Sequence, residues 1–128
     1  MATNESQEMY LKTILLLHLR QSPSRSVDVA NELGFSKASV SRAVGILKKD
    51  GFITIQKGGE IEFTPKGRKL ALAVYDRYVT IKDYLIFIGV DEENAERDAC
   101  KMEHVISDVT FEKFKSHVVN DHKIYQQA

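Results

Sequence analysis

Cysteine occurs once in this sequence, proline twice and tryptophan not at all, and 18 Lys and Arg cancel 18 Asp and Glu. A single thiol cannot close an intrachain disulfide, so a reducing cytoplasm is the expected setting. The longest strongly apolar run, Ile14-Leu15-Leu16-Leu17, is far too short to span a bilayer, so no membrane role is expected. The opening stretch, Met1 to Glu8, is polar and lacks the basic-then-apolar layout of a secretory signal. Neither a Walker loop nor a dinucleotide glycine pattern occurs, which leaves no basis for a nucleotide cofactor. Internal repeats and low-complexity tracts are missing too. What remains is an ordinary soluble composition, 43% hydrophobic and 28% charged, over 128 residues. That length suits one domain, or two small ones.

The neutral total hides an asymmetry. Up to residue 69 there are 11 Lys and Arg against 7 Asp and Glu, and from residue 70 onward 7 against 11. A basic front half suits a polyanionic partner, and an acidic back half suits dimerisation or cation binding.

The periodicity predicts a mainly α chain. Residues 6 to 21 read as a helix with a broad stripe of Met9, Tyr10, Leu11, Ile14, Leu15 and Leu17, and with Lys12 and Arg20 off it. Ser26 is the expected cap of a short second helix facing inward through Val27, Val29, Ala30 and Leu33. Gly34 stops it, and Ser36 caps a third helix, Lys37 to Lys49, with Val40, Val44, Leu47 and Ile46 as its inner stripe. Two short alternating runs, Phe52 to Ile55 and Glu60 to Phe63, flank a Gln56-Lys57-Gly58-Gly59 turn and predict a hairpin. Thr64-Pro65 opens a long helix to about Phe87. Asp91 caps a fifth helix and Ser107-Asp108 a sixth, Val109 to Val119. Asn120 to Ala128 read as a frayed end.

Helix, short helix, glycine turn, helix and hairpin is the order of a winged helix-turn-helix. The outer face of the third helix carries short hydroxyls and long cations. Entering a major groove N-terminus first, it places Arg42 for bidentate contact to a guanine, with Ser39 and Ser41 as weaker base readers. Ser26, Ser36, Lys37 and Lys48 are expected on the DNA backbone, and Lys57 reaches phosphate or the minor groove from the wing tip. A protein-interaction module is the alternative use of such a fold.

Further on stands Cys100-Lys101-Met102-Glu103-His104. At about 100° per residue, positions 100, 103 and 104 of one helix share a face. A thiol, a carboxylate and an imidazole together favour iron, zinc, nickel or cobalt over magnesium or calcium.

Strings along the chain extend this reading. They are Glu8-Met9-Tyr10-Leu11-Lys12-Thr13-Ile14, Val29-Ala30-Asn31-Glu32-Leu33, Ser39-Val40-Ser41-Arg42, Thr64-Pro65-Lys66-Gly67-Arg68, Ile88-Gly89-Val90-Asp91, and Ala99 through Asp108. In order and spacing they resemble the diphtheria toxin repressor and manganese transport regulator family of metal-dependent transcriptional regulators, over roughly residues 6 to 118. The resemblance implies a winged helix-turn-helix over residues 1–69 and an all-α metal-binding and dimerisation domain over residues 70–128. It implies a homodimer on a palindromic double-stranded operator, with no catalysis. In the iron-responsive branch the primary metal ligands match Met9, Cys100, Glu103 and His104. Their softness points to Fe(II), with zinc, nickel, cobalt or manganese as alternatives, or to no metal at all.

The departures concern the family's second metal position. Its ligands fall on Tyr78 and Lys82, on Glu96, and on Lys12, and the sequence ends before the SH3-like domain of some relatives. The second site therefore reads as dismantled, with an ammonium of Lys82 or Lys12 standing where a metal would be, paired with Glu96 or Glu103. Three other readings stay open: a metal-independent dimeric repressor in which lysines replace the metal charge, a redox sensor at Cys100, and an enzyme with a Cys100–His104 dyad. The last has no evident oxyanion loop or third orienting group.

Overall fold

The computed structural model describes residues 5–118. The expected frayed tail from Asn120, and the last residue of the expected sixth helix, Val119, lie outside them. Among the described residues are six helices and one two-stranded antiparallel sheet. By its internal contacts the chain divides into two compact units, Met1–Leu72 and Ala73–Ala128. None of the helices is long and apolar enough to cross a membrane.

The first unit contains α1 (Glu5–Leu19), α2 (Ser26–Leu33), α3 (Lys37–Lys49), β1 (Ile53–Ile55), β2 (Ile61–Phe63) and the start of α4 (Pro65–Phe87). Its three helices pack on one another, and β1 packs on α3. Leu11, Ile14, Leu15, Val29, Val40, Val44, Leu47, Ile53 and Ile61 are all buried. Each large apolar side chain removed from water in this way contributes about 1.5–3 kcal/mol. This is the winged helix-turn-helix that the pattern predicts. Gly34 takes φ 71° after α2, and its N–H reaches the Ala30 carbonyl at 2.8 Å. A left-handed residue there closes the tight turn into α3.

Three local expectations change. The cap of α2 is Arg25, with Ser26 already helical. Arg25 N–H donates to Asp28 Oδ2 at 2.9 Å, and Asp28 N–H donates back to the Arg25 carbonyl at 2.9 Å. The carboxylate takes the N–H of the cap residue itself, and the Arg25 carbonyl takes the Asp28 N–H that a capping hydroxyl was expected to take. Ile46 is 47% exposed rather than part of the inner stripe. It precedes Leu47 by one residue and so points about 100° away from it, and Val40, Val44 and Leu47 already fill the interface. Lys12 is 6% exposed, not off the apolar stripe, because the buried arc of α1 runs without a break from Tyr10 to Leu15.

The hairpin pairs Ile53 with Phe63, Thr54 with Glu62 and Ile55 with Ile61. Thr64 then starts α4. Its hydroxyl donates to the Gly51 carbonyl at 2.7 Å and accepts from Gly67 N–H at 3.1 Å. Gly67 lies so close to the Phe52 backbone that an added Cβ would overlap the Phe52 carbonyl oxygen and sit 2.7 Å from its carbonyl carbon. Neither atom belongs to a side chain that could turn away.

The second unit holds the rest of α4, α5 (Glu92–Met102) and α6 (Asp108–Val118). Ile81, Leu85, Ala95 and Ala99 form its core, with Tyr78, Val90, Met102, Ile106 and Phe114 packed around them. Asp91 and Ser107 do cap α5 and α6, accepting from Asn94 N–H at 3.1 Å and Thr110 N–H at 3.2 Å. The hydrogen bonds from Asn94 hold the Asp91 carboxyl below its ordinary pKa. Arg77 reaches the Ile106 carbonyl at 2.9 Å and pairs with Asp108, tying α4 to the start of α6.

Gly67→Ala is expected to lower the unfolding free energy by about 3 kcal/mol, the upper end for overpacking against rigid atoms. Urea denaturation followed by circular dichroism checks this, and a loss near zero would contradict the close approach.

Candidate nucleic-acid interface and metal centre

The outer face of α3 is built by its cap. Ser36 is extended (φ −67°, ψ 149°), and its hydroxyl oxygen accepts from Ser39 N–H at 3.1 Å. The same hydroxyl donates to Ser39 Oγ at 2.9 Å. Ser36 is therefore occupied with holding the helix start. Lys37, Ser39, Ser41, Arg42 and Lys48 are exposed on the side away from Val40, Val44 and Leu47. Ser26 is half-buried at the start of α2, and Lys57 is exposed at the hairpin tip. A helix N-terminus with exposed cations, beside a wing that carries Lys57 at its tip, suits a phosphate-lined groove.

Two features of this unit escaped the sequence reading. Arg25 lays its aliphatic stem along the wing, where a Cβ on Gly59 would meet Arg25 Cδ at 3.5 Å. His18 places Nε2 at 3.0 Å from Ser24 Oγ and 2.9 Å from the Ile61 carbonyl. Nothing local in the sequence ties residue 25 to Gly59 or residue 18 to residue 61.

In the second unit the expected one-helix cluster is corrected. Helix α5 ends at Met102, so Glu103 and His104 lie in the turn beyond it. Glu103 keeps a helical N–H bond to the Ala99 carbonyl at 3.0 Å, but Val105 N–H already turns back to Met102 at 3.1 Å. The last turn tightens because Met102 and Ile106 both pack on the core. Cys100 is exposed, while the Glu103 and His104 side chains are 0% and 5% exposed. His104 Nε2 stands 3.1 Å from Glu103 Oε1.

That pair fits a metal's requirements. Two donors 3.1 Å apart, each about 2.1 Å from a shared ion, subtend about 95°, a normal angle between adjacent ligands. Among the described residues no group of three or more His, Cys, Asp or Glu side chains is gathered about one point. Glu103 and His104 are brought together, Cys100 stands exposed one turn before them, and Met9 is half-buried on α1 in the first unit.

Around the pair the field is negative. Tyr78 is pushed up to about 12, first by burial, then by the charges of Cys100, Glu96 and Glu103. One turn along α4, Lys82 sets its ammonium 3.2 Å from Glu96 Oε1 and 3.9 Å from Glu92 Oε1, with its side chain 23% exposed. The four positions Lys12, Tyr78, Lys82 and Glu96 thus comprise a buried lysine, a half-buried phenol and an ion pair.

Family comparison settles the class. Residues 2–60 match the iron-dependent repressor N-terminal DNA-binding domain, and residues 64–122 match the iron-dependent repressor metal-binding and dimerisation domain. The chain belongs to the iron-dependent repressor family. It is 32% identical over 114 residues to an uncharacterised HTH-type transcriptional regulator, MJ0568 of Methanocaldococcus jannaschii, covering 88% of this chain and 91% of that one. It is 34% identical over 102 residues to the transcriptional regulator MntR of Lysinibacillus sphaericus, covering 80% and 73%. Among solved structures, the manganese regulator SloR superposes with a TM-score of 0.77 at 26% identity, covering 93% of this chain and 55% of that one. The chain thus spans about half the length of that regulator. As a member of the iron-dependent repressor family it is a metal-responsive, DNA-binding transcriptional regulator, whose matched domains imply DNA and self-association.

A raised tyrosine pKa has a definite consequence. Its contribution to folding is fully present below pH 10 and is lost as pH rises through about 12. In metal-free protein, alkaline ultraviolet titration is expected to show one late tyrosine that disappears in Tyr78→Phe and shifts down in Glu96→Gln. No change in either variant would contradict the negative cluster.

Proposed function

We propose that this chain is a cytoplasmic homodimeric repressor of metal-homeostasis genes that takes one transition-metal ion per subunit and reads a palindromic operator. Residues 1–69 read DNA, and residues 70–128 bind metal and dimerise. The protein is a regulator and not an enzyme. The buried Glu103–His104 pair carries this reading. A carboxylate and an imidazole held 3.1 Å apart with almost no solvent contact are a preformed pair of donors of the kind transition-metal ions take.

Cys100, Glu103 and His104 would hold the ion, with Met9 as a fourth ligand by its match to the family pattern. A bound divalent ion supplies the positive charge that the carboxylate and thiolate favour. Sulfur donors at Met9 and Cys100 make Fe(II) the preferred ion, ahead of zinc, nickel, cobalt and manganese. Glu103 and His104 are both held nearly out of solvent, with Oε1 and Nε2 facing each other as the two donors. Lys82 neutralises Glu96 and Glu92, so the remainder of the acidic row needs no second ion. Fixing the first helix favours the arrangement in which two recognition helices lie about 34 Å apart. Moving that balance from 1:99 to 99:1 takes about 5.5 kcal/mol of differential binding.

Arg42, Ser39 and Ser41 read bases, while Ser26, Lys37, Lys48 and Lys57 hold phosphates and Ser36, expected there too, caps the helix that presents them. A second reading, a metal-independent repressor, is favoured by the Lys82–Glu96 ion pair and the burial of Lys12. Operator binding that is indifferent to chelator would select it.

Elemental analysis after dialysis against Fe(II) or Co(II) is expected to return one ion per chain. Cys100→Ser is expected to remove the thiolate-to-cobalt absorption and to weaken binding at least about tenfold. Two tight ions per chain would rule out the single-site reading.

Arg42→Ala is expected to cost about 1–3 kcal/mol on the operator and to relax discrimination at one base pair per half-site. Electrophoretic shifts on a set of single-substitution operators measure this. A uniform loss across all of them would reassign Arg42 to phosphate.

A further inference from the structure

We infer that His18 is the positioning residue that makes the wing a rigid extension of α1, so that the DNA contact of Lys57 depends on it. The inference rests on the DNA-reading role proposed above and goes beyond it. A three-residue strand pair is at best marginal by itself, so the aim of this hairpin must be set by what grips its base. The grip is made almost wholly on Ser24 and β2. Ile61 N–H donates to the Ser24 carbonyl at 3.1 Å. Ser24 N–H and Ser24 Oγ donate to Glu60 Oε2 at 3.2 and 3.3 Å. Ser24 Oγ also lies 3.3 Å from the Ile61 carbonyl.

His18 is the member of this network that belongs to α1. A carbonyl oxygen can only accept, so His18 Nε2 carries a proton and donates to Ile61 at 2.9 Å. The ring also meets Phe63 edge-on at 5.3 Å between centroids. One imidazole therefore fixes both the backbone and a side chain of β2 against the end of α1. Lys57 stands four residues before Ile61, at the far end of the lever, and is exposed. Loss of the His18 bond leaves the pairing between β1 and β2 and the Ser24 bonds intact. It removes the hydrogen bond that ties β2 to the end of α1, which loosens the aim of the hairpin.

The test is a double-mutant cycle on the Co(II)-loaded 128-residue chain, read as the slope of log binding constant against log salt with a mixed-sequence duplex. Thermal melts choose a temperature at which every variant is folded. Lys57→Ala is expected to lower the slope by about 0.9 per wing in the wild-type background, one phosphate's worth. His18→Leu is expected to lower it equally, and Lys57→Ala to add nothing in that background. His18→Gln, which keeps a donor near Nε2, is expected to restore both the slope and its response to Lys57→Ala. Ser24→Ala runs the same cycle should His18→Leu be too unstable. Additive losses, or an unchanged slope in His18→Leu, would overturn the coupling while leaving the DNA-reading role standing. Failure of the wild-type chain to bind any duplex would overturn both.

Discussion

A carboxylate sealed from water organises the second unit. Glu103 has no exposed side-chain surface and faces the His104 imidazole. The residues flanking this pair, Met102 and Ile106, pack on the Ile81, Leu85, Ala95 and Ala99 core, so apolar burial on both sides forces two polar groups inward. Buried ion pairs are weak sources of stability. A carboxylate and an imidazole at this separation are the donors that the proposed transition-metal ion would take. Burial first, and then the negative charges of Cys100, Glu96 and Glu103, raise the Tyr78 pKa, and Lys82 sits on Glu96 in the same acidic neighbourhood.

The first unit solves a different problem. It must present α3 and a small hairpin to a duplex while burying little surface. It does so by making α1 the common wall, with residues 10 to 15 buried throughout, and by fastening the hairpin at three places. These are Ser24 with Ile61, His18 with Ile61, and Thr64 with Gly51. The bare backbone of Gly67 lets α4 start directly against Phe52. Charge then needs only the outer face, where α3 keeps its cations clear of the core stripe.

Much of this was legible in the chain. The end of α2, the limits of α3 and the start of α4 follow from Gly34, Ser36, Asp50 and Pro65, because caps and turns are decided by one or two residues and their own backbone bonds. The candidate ligands were legible as types at a spacing. Their surroundings were not. Nothing in Cys100-Lys101-Met102-Glu103-His104 says that the helix stops at Met102, since Glu103 and His104 would fit another turn equally well. The stop comes from core packing around Met102 and Ile106. Lys12 looked like a solvent-facing residue because lysine usually is, yet it lies within a continuous buried arc.

The sequence alone determined the element order, the winged helix-turn-helix, the outward cations of α3 and the residue types at the metal cluster. All of these depend on local bonds or on a periodicity that survives in one dimension. Tertiary structure decided which of those residues lose water and which meet across distance: Glu103 with His104, Lys82 with Glu96, His18 with Ile61. Desolvation and long-range hydrogen bonding depend on how helix faces close on one another, and no run of neighbouring residues encodes that.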